Sequence, residues 1–412
     1  MKRKLFKQIR AEWHTNVWLA LELLVVSVVL WYIIDYFYTT ASIMVKPLGY
    51  DVEHCYKLMF NTVTDKSPSY IPDRTTEEDI ADAREILSRM EHLPFVEAAS
   101  ISHNSHPYNG SSSGIKLRYD TIYNPHYLPN KMVTPGFLKV FRCVGLGGET
   151  PEQLAGIIER NELILGGNVF FDKRYLPENM IGCKFYCDND TTMTITLGAA
   201  IMPMRDSEYV EWGNTAITGM TDIGYTYASE YCVRVFPDKD TNIEEQLMNM
   251  SESLFHVGNR LLVNVTSFKN IRQNYQQAQA NQVRDMVFLM CFLLLNIFLG
   301  LFGTFWFRTQ QRSQEIAIRI AMGASRGDIF RRLLSEGLIL LLLITPVAVA
   351  FDCFMAFNEL NTYSMDGYFI TDRMIVTCGA TFVLIALMIV GGIWIPADKA
   401  RRVEPAITLK DE

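Results

Sequence analysis

Four stretches of this chain are each long and apolar enough to cross a hydrocarbon core, and every other segment must be arranged around them. Val17 to Tyr38, Met286 to Phe307, Leu338 to Phe357 and Met374 to Ile395 all reach the roughly 20 residues that a helical span requires. The second and fourth hold no charged side chain. In hydrocarbon a segment can satisfy its backbone N–H and C=O groups by itself only as a helix. The expected class is therefore an α-helical membrane protein with four transmembrane helices. The first stretch lacks a small-residue cleavage site after its core, so it reads as a retained anchor rather than a signal peptide.

Lys and Arg near span ends mark the cytoplasmic side. Lys2, Arg3, Lys4, Lys7 and Arg10 precede span 1; Arg308, Arg312, Arg319, Arg326, Arg331 and Arg332 follow span 2; Lys399, Arg401, Arg402 and Lys410 follow span 4. The connection from Asn358 to Arg373 sets one Arg against Glu359, Asp366 and Asp372, which suits the outside. The expected order is a cytoplasmic amphipathic helix at 1–16, span 1 at 17–38, an extracytoplasmic domain at 39–285 and span 2 at 286–307. A cytoplasmic loop at 308–337, span 3 at 338–357, a short external loop at 358–373, span 4 at 374–395 and a cytoplasmic tail at 396–412 complete it. Both termini are then cytoplasmic.

Residues 39–285 hold 31 Asp and Glu against 22 Lys and Arg, an acidic balance that argues against nucleic acid as a partner. Five cysteines lie there, Cys55, Cys143, Cys183, Cys187 and Cys232, and spacing alone assigns no disulfide among them. Cys183 and Cys187 read as thiols or a disulfide. Thr75-Thr-Glu-Glu opens a helix to about Glu91, with Ile80, Ala83, Leu87 and Met90 on one face. Strands are expected at Phe95 to Ser102, Ile115 to Tyr119, Leu163 to Leu165, Thr192 to Ile201 and Tyr231 to Phe236. Helices are expected near Pro135 to Phe141, Asn168 to Arg174 and Ile243 to Gly258, and the Ser/Asn/Gly-rich stretch His103 to Gly114 reads as a mobile loop. Such mixing predicts a large α+β domain between spans 1 and 2. From Ser267 to Asp285 no Gly or Pro interrupts helical spacing, so this segment and span 2 are expected to form one continuous helix.

Neither a G-x-x-x-x-G-K-S/T phosphate loop nor an H-E-x-x-H metal motif occurs. His103 and His106 read as loop residues rather than metal ligands. Of the charges inside spans, Asp35 and Asp352 read as interfacial, and Glu22 as the partner of a cytoplasmic Arg. Pro346 is a candidate kink in span 3, and Gly300 with Gly303 a candidate for close helix packing.

Residues 313–330 lie between spans 2 and 3. Up to Met322 only helix-tolerant residues occur; Gly323 supplies a stop, and Ser325-Arg-Gly-Asp328 is a capping-box pattern for a second helix running into span 3. The first helix carries Ile316, Ile318, Ile320 and Ala321 nearly all round. It is too apolar for water and too short to span, so it calls for a cytoplasmic partner.

The run Arg312-Ser-Gln-Glu-Ile-Ala-Ile-Arg-Ile-Ala-Met-Gly-Ala-Ser-Arg-Gly-Asp-Ile329 resembles the loop between spans 2 and 3 of permeases of the FtsX/MacB superfamily, the type VII ABC transporters. The tail from Pro396 to Lys410 is similar to the family's ending, Val133-Thr-Pro-Gly-Phe-Leu-Lys-Val-Phe141 to an exterior motif, and Asn179-Met-Ile-Gly-Cys-Lys184 to another. The resemblance implies a MacB-like periplasmic core domain outside and a coupling helix within the loop. That helix would dock on the ATPase through Arg312, Glu315, Ile316, Arg319, Ala321, Gly323, Ala324, Ser325 and Ile329. It further implies no catalytic, metal or cofactor site on this chain, with ATP and Mg bound by a partner ABC ATPase dimer. Only 16 residues precede span 1, so the ATPase is expected on a separate chain. A second permease copy, identical or not, is implied, with a membrane-fusion adaptor and an outer-membrane channel as further partners and the bacterial inner membrane as the location. Two functions fit. One is a permease subunit using mechanotransmission to export or extract a peptide, lipoprotein or drug. The other is an FtsX-like regulator that activates an extracytoplasmic cell-wall hydrolase without transport.

Overall fold

The computed structural model describes residues 13–187, 190–226, 230–311, 318, 322–365 and 367–400. Two compact units result, one of residues 1–42 with 281–412 and one of residues 43–280. After α1 (Trp13–Val45) come β1 (Cys55–Thr62), α2 (Thr76–Glu91), β2 (Val96–His103), β3 (Ser113–Ile115), β4 (Leu117–Tyr119), β5 (Ile122–Tyr123) and β6 (Leu128–Val133). Then follow α3 (Gly136–Val140), α4 (Pro151–Glu159), β7 (Leu163–Gly166), β8 (Lys184–Cys187), β9 (Asp190–Ile201), β10 (Thr215–Gly219), α5 (Asp222–Thr226) and β11 (Glu230–Val235). The last elements are α6 (Ile243–Asn249), α7 (Ser251–Leu254), β12 (His256–Val257), β13 (Arg260–Ser267), α8 (Phe268–Gln311), α9 (Arg326–Phe357) and α10 (Thr371–Ala400).

One mixed sheet organises residues 43–280, in the order β12-β13-β1-β11-β2-β6-β10-β7-β9-β8-β4-β5, with β3 also beside β6. Only β6/β10 and β7/β9 run parallel among the paired strands. β7 and β11 are buried at every position, as expected of strands covered on both faces. Helix α2 starts at a capping box in which Thr75 and Glu78 satisfy each other's backbone N–H, and it lays Ile80, Ala83, Ile86 and Met90 on the core. The large α+β domain expected between the first two apolar helices is present.

Several local expectations are corrected. Asn168 to Arg174 is not a helix: Gly167 and Phe171 take positive φ (+81° and +56°), and only the 3₁₀ turn Lys173–Tyr175 is regular. Ile243 to Gly258 breaks into α6, α7 and β12, because His256 and Val257 pair with β13. Ile115 to Tyr119 divides into β3, on β6, and β4, on β8. The stretch after His103 is no solvated loop, since Ser105, His106 and Tyr108 are buried. Cys55, Cys143, Cys183 and Cys232 are free thiols.

All four long helices, α1, α8, α9 and α10, are long and apolar enough to cross a membrane. α8 is unbroken from Phe268 to Gln311, as the absence of Gly and Pro in its first half predicts. Leu19, Leu23 and Leu30 of α1, Leu301 of α8, Leu340 and Leu341 of α9 and Ile385, Ile389 and Ile393 of α10 form the core of the helical unit.

Charges within this unit are more deeply placed than the sequence suggests. Asp35 is fully buried within the helical unit. Arg373 Nε donates to its Oδ1 at 2.6 Å, and Nη2 donates both to Oδ2 and to the Thr362 carbonyl (2.7 Å). Thr362 N–H and the Asn361 amide donate to Oδ2 at 3.3 and 3.4 Å. Four residues beyond Arg373, Thr377 accepts from the Trp31 indole at 3.0 Å. Asp352 is likewise buried. Glu22 takes a hydroxyl from Thr304 at 3.0 Å. α9 continues through Pro346, and among the described residues no atom of this chain lies within 4 Å of where a side chain on Gly300 or Gly303 would begin.

Removing one partner of a buried ion pair leaves the other charge uncompensated, at a cost of about 3–5 kcal/mol. Arg373→Ala is expected to lower the unfolding midpoint of the full chain in detergent, with Arg373→Lys recovering part of the loss. An unchanged midpoint would remove the pair from the list of structural supports.

Candidate coupling site

Three of the nine residues assigned to ATPase coupling form one turn. Met322 N–H still reaches the Ile318 carbonyl at 3.0 Å, an i to i−4 bond that marks a last helical turn. Gly323 then takes φ +93°, a conformation that side chains disfavour. Ala324 follows, and Ser325 caps α9. Its hydroxyl accepts from Asp328 N–H at 3.2 Å, while the Asp328 carboxylate accepts from Ser325 N–H at 3.3 Å and from its hydroxyl at 2.6 Å. The Ser325 hydroxyl and backbone N–H hold the Asp328 carboxyl below its ordinary value. Ile329 lies in the first turn of α9. Arg312, Glu315, Ile316, Arg319 and Ala321 fall outside the described residues, as do the basic head at 1–12 and the tail from 401. Ile318 and Met322, both apolar, are 47% and 76% exposed. That surface is what a docking partner would cover.

A second polar centre lies inside the other unit, around Glu230 at the start of β11. Its carboxylate, 2% exposed, accepts from the Ser102 hydroxyl (2.6 Å), from Ser105 and His106 N–H (2.9 and 3.2 Å) and from the Asn109 amide. Lys131 donates to the Ser105 carbonyl at 3.1 Å. Residues 105–109 are thus drawn inward by buried charge, which the composition of the stretch, rich in Ser and Asn, conceals. His106 Nδ1 lies 2.8 Å from the Pro107 carbonyl, which can only accept, so Nδ1 carries the proton and Nε2 accepts from Lys57 at 2.9 Å. Burial, reinforced by the Lys57 charge, pushes the His106 imidazole below its ordinary value despite the opposing pull of Glu230.

These residues hold the root of α8. His106 meets the Phe268 ring edge-on with centroids 5.6 Å apart, Tyr108 packs on Tyr275 at 5.9 Å, and Arg272 pairs with Glu208. The charged residues Arg272 and Glu208 carry no motif that marks them in the sequence.

Residues 287–405, which hold three of the four long apolar helices in part or whole, match the family model for the FtsX-like permease C-terminal region. This C-terminal part is an FtsX-like permease region, so the resemblance to FtsX/MacB-like permeases holds. Such permeases are membrane components of ABC transporters. Among solved structures, the extracellular domain of the noncanonical ABC-type transporter YknZ from Gram-positive bacteria matches at 12% identity with a TM-score of 0.32, over 51% of this chain and 100% of that one. No curated protein matches.

Because His106 is held neutral, the unfolded chain binds a proton there, below about pH 6.5, that the folded chain refuses. Its contribution to stability is present above that pH and lost as the pH falls below it. His106→Gln keeps an acceptor for Lys57 and is expected to flatten the pH dependence of unfolding just below 6.5. An unaltered profile would contradict the neutral state of the folded imidazole.

Proposed function

We propose that this chain is the permease subunit of an ABC transporter whose ATPase is a separate chain. The observation that carries the reading is the capped turn Gly323–Ser325 with exposed Ile318 and Met322 beside it, inside the region that matches the permease family. An ATPase docked on residues 312–329 would supply the apolar surface that these side chains lack. Closure of the ATPase dimer on ATP would pull on the turn, and α9 begins at that turn, capped by Ser325, so displacement there enters the helical unit directly. The chain needs no reacting group of its own in this scheme. Its work is mechanical, and a peptide, lipoprotein or drug handled by residues 39–285 would be moved outward by that motion. Both termini and the turn lie in the cytoplasm in this reading, with residues 39–285 beyond the inner membrane and a second permease copy on the other half of the ATPase dimer.

Co-expression with candidate ABC ATPase chains tests the proposal. The wild-type chain should retain one through purification. Gly323→Pro, which forbids the positive φ, and Glu315→Lys should each reduce the retained ATPase by roughly tenfold or more, about 1.4 kcal/mol of docking energy. Failure of every ATPase to co-purify, with cellular activity indifferent to both substitutions, would remove the permease reading.

A further inference from the structure

The connection between β9 and β10 grips the ends of two long helices at once. Arg205, 3% exposed, spends its guanidinium on four carbonyls. Nη2 donates to Ile43 in the last turn of α1 (2.9 Å) and to Glu208 (3.0 Å), Nη1 to Lys46 just past that helix (2.5 Å), and Nε to Val210 (2.8 Å). Its own N–H donates to the Leu48 carbonyl at 3.0 Å. The final carbonyls of a helix have no intrahelical donor, and a guanidinium supplies one with a fixed fork. Glu211 adds an ion pair to Lys46. Three residues from Arg205, Glu208 turns the other way. It holds Arg272 in the second turn of α8 and accepts the Tyr108 hydroxyl at 3.3 Å. The Glu208 backbone is therefore fixed by α1's cap while its side chain fixes α8.

We propose that residues 205–211 are a coupling bracket, with Arg205 and Glu208 as its positioning residues, through which a displacement of the C-terminal end of α1 reaches the root of α8 and the reverse. In the permease reading, on which this rests, the bracket makes two spans move the exterior domain together rather than separately. A connection serving only as local packing would transmit nothing from one helix to the other.

Hydrogen–deuterium exchange on the full chain in lipid nanodiscs, with no ATPase present, separates these cases. Arg205→Lys, which cannot span all four carbonyls, should raise exchange by about tenfold at residues 40–48 and also at 268–276. Arg272→Ala removes a side chain that is 47% exposed and should raise exchange at residues 40–48, which it does not touch. Substitutions that each loosen only their own helix overturn the proposal. Should Arg205→Lys raise exchange throughout β7 and β11, the chain has unfolded and Arg272→Ala alone decides. No ATPase enters this measurement, so an exchange result leaves the permease reading standing or falling on co-purification.

Discussion

The fully buried pair of Asp35 and Arg373 governs the helical unit. Two charges withdrawn from water are tolerable only while each satisfies the other, so α1, α10 and the segment around Asn361 and Thr362 cannot part without exposing one of them. The arrangement is directional as well as strong. A bidentate guanidinium fixes the angle between the two side chains, and the Trp31 to Thr377 bond holds the same two helices near it. α8 is held differently. A polar tie to α1 is the hydroxyl of Thr304 on Glu22, and Phe288, Leu289, Phe292, Leu295 and Leu299 stay exposed. In a bilayer such a face meets lipid or another apolar helix without further provision.

Features that depend on neighbours in the chain were legible before the structure. The four apolar helices follow from run length, and the starts of α2 and α9 from the capping boxes at Thr75 and Ser325. The unbroken α8 follows from the absence of breakers before Gly300. What escaped was set by partners remote in sequence. α4 is the exception among them: Thr150 and Gln153 form a capping box and Pro151 takes the first helical position, both local start signals, although no helix is expected there in the sequence reading. The helix expected from Asn168 to Arg174 failed because Phe171 is forced to positive φ, a choice made by tertiary packing against Trp212. His103 to Gly114 has the composition of a solvated loop, and the buried carboxylate of Glu230, more than a hundred residues on, draws residues 105–109 of it inward while Gly110 to Ser112 stay exposed.

The turn at Gly323 to Ser325 shows the same division. Gly323 and Ser325 were assigned from local chemistry, and their stop and cap are where that chemistry puts them. The resemblance to a permease loop added a partner, which residue spacing alone could not name. Asp35 is legible as a charge within an apolar run, but its partner lies 338 residues away, and the lone Arg of the otherwise acidic connection from Asn358 to Arg373 is the available hint. Arg205, Glu208 and Glu211 belong to a run of charged and aromatic residues that resembles any surface connection.

The cysteines of residues 43–280 carry one more consequence. Burial pushes the thiols of Cys55 and Cys143 up to about 12, and that of Cys232 well above its ordinary value. Only a thiolate exchanges or oxidises readily, so these three groups are chemically silent at neutral pH while the fold is intact. At these three positions the thiols act as packed apolar groups. Reactivity of Cys55, Cys143 or Cys232 toward a thiol reagent becomes a clock for unfolding, readable without any knowledge of the protein's activity.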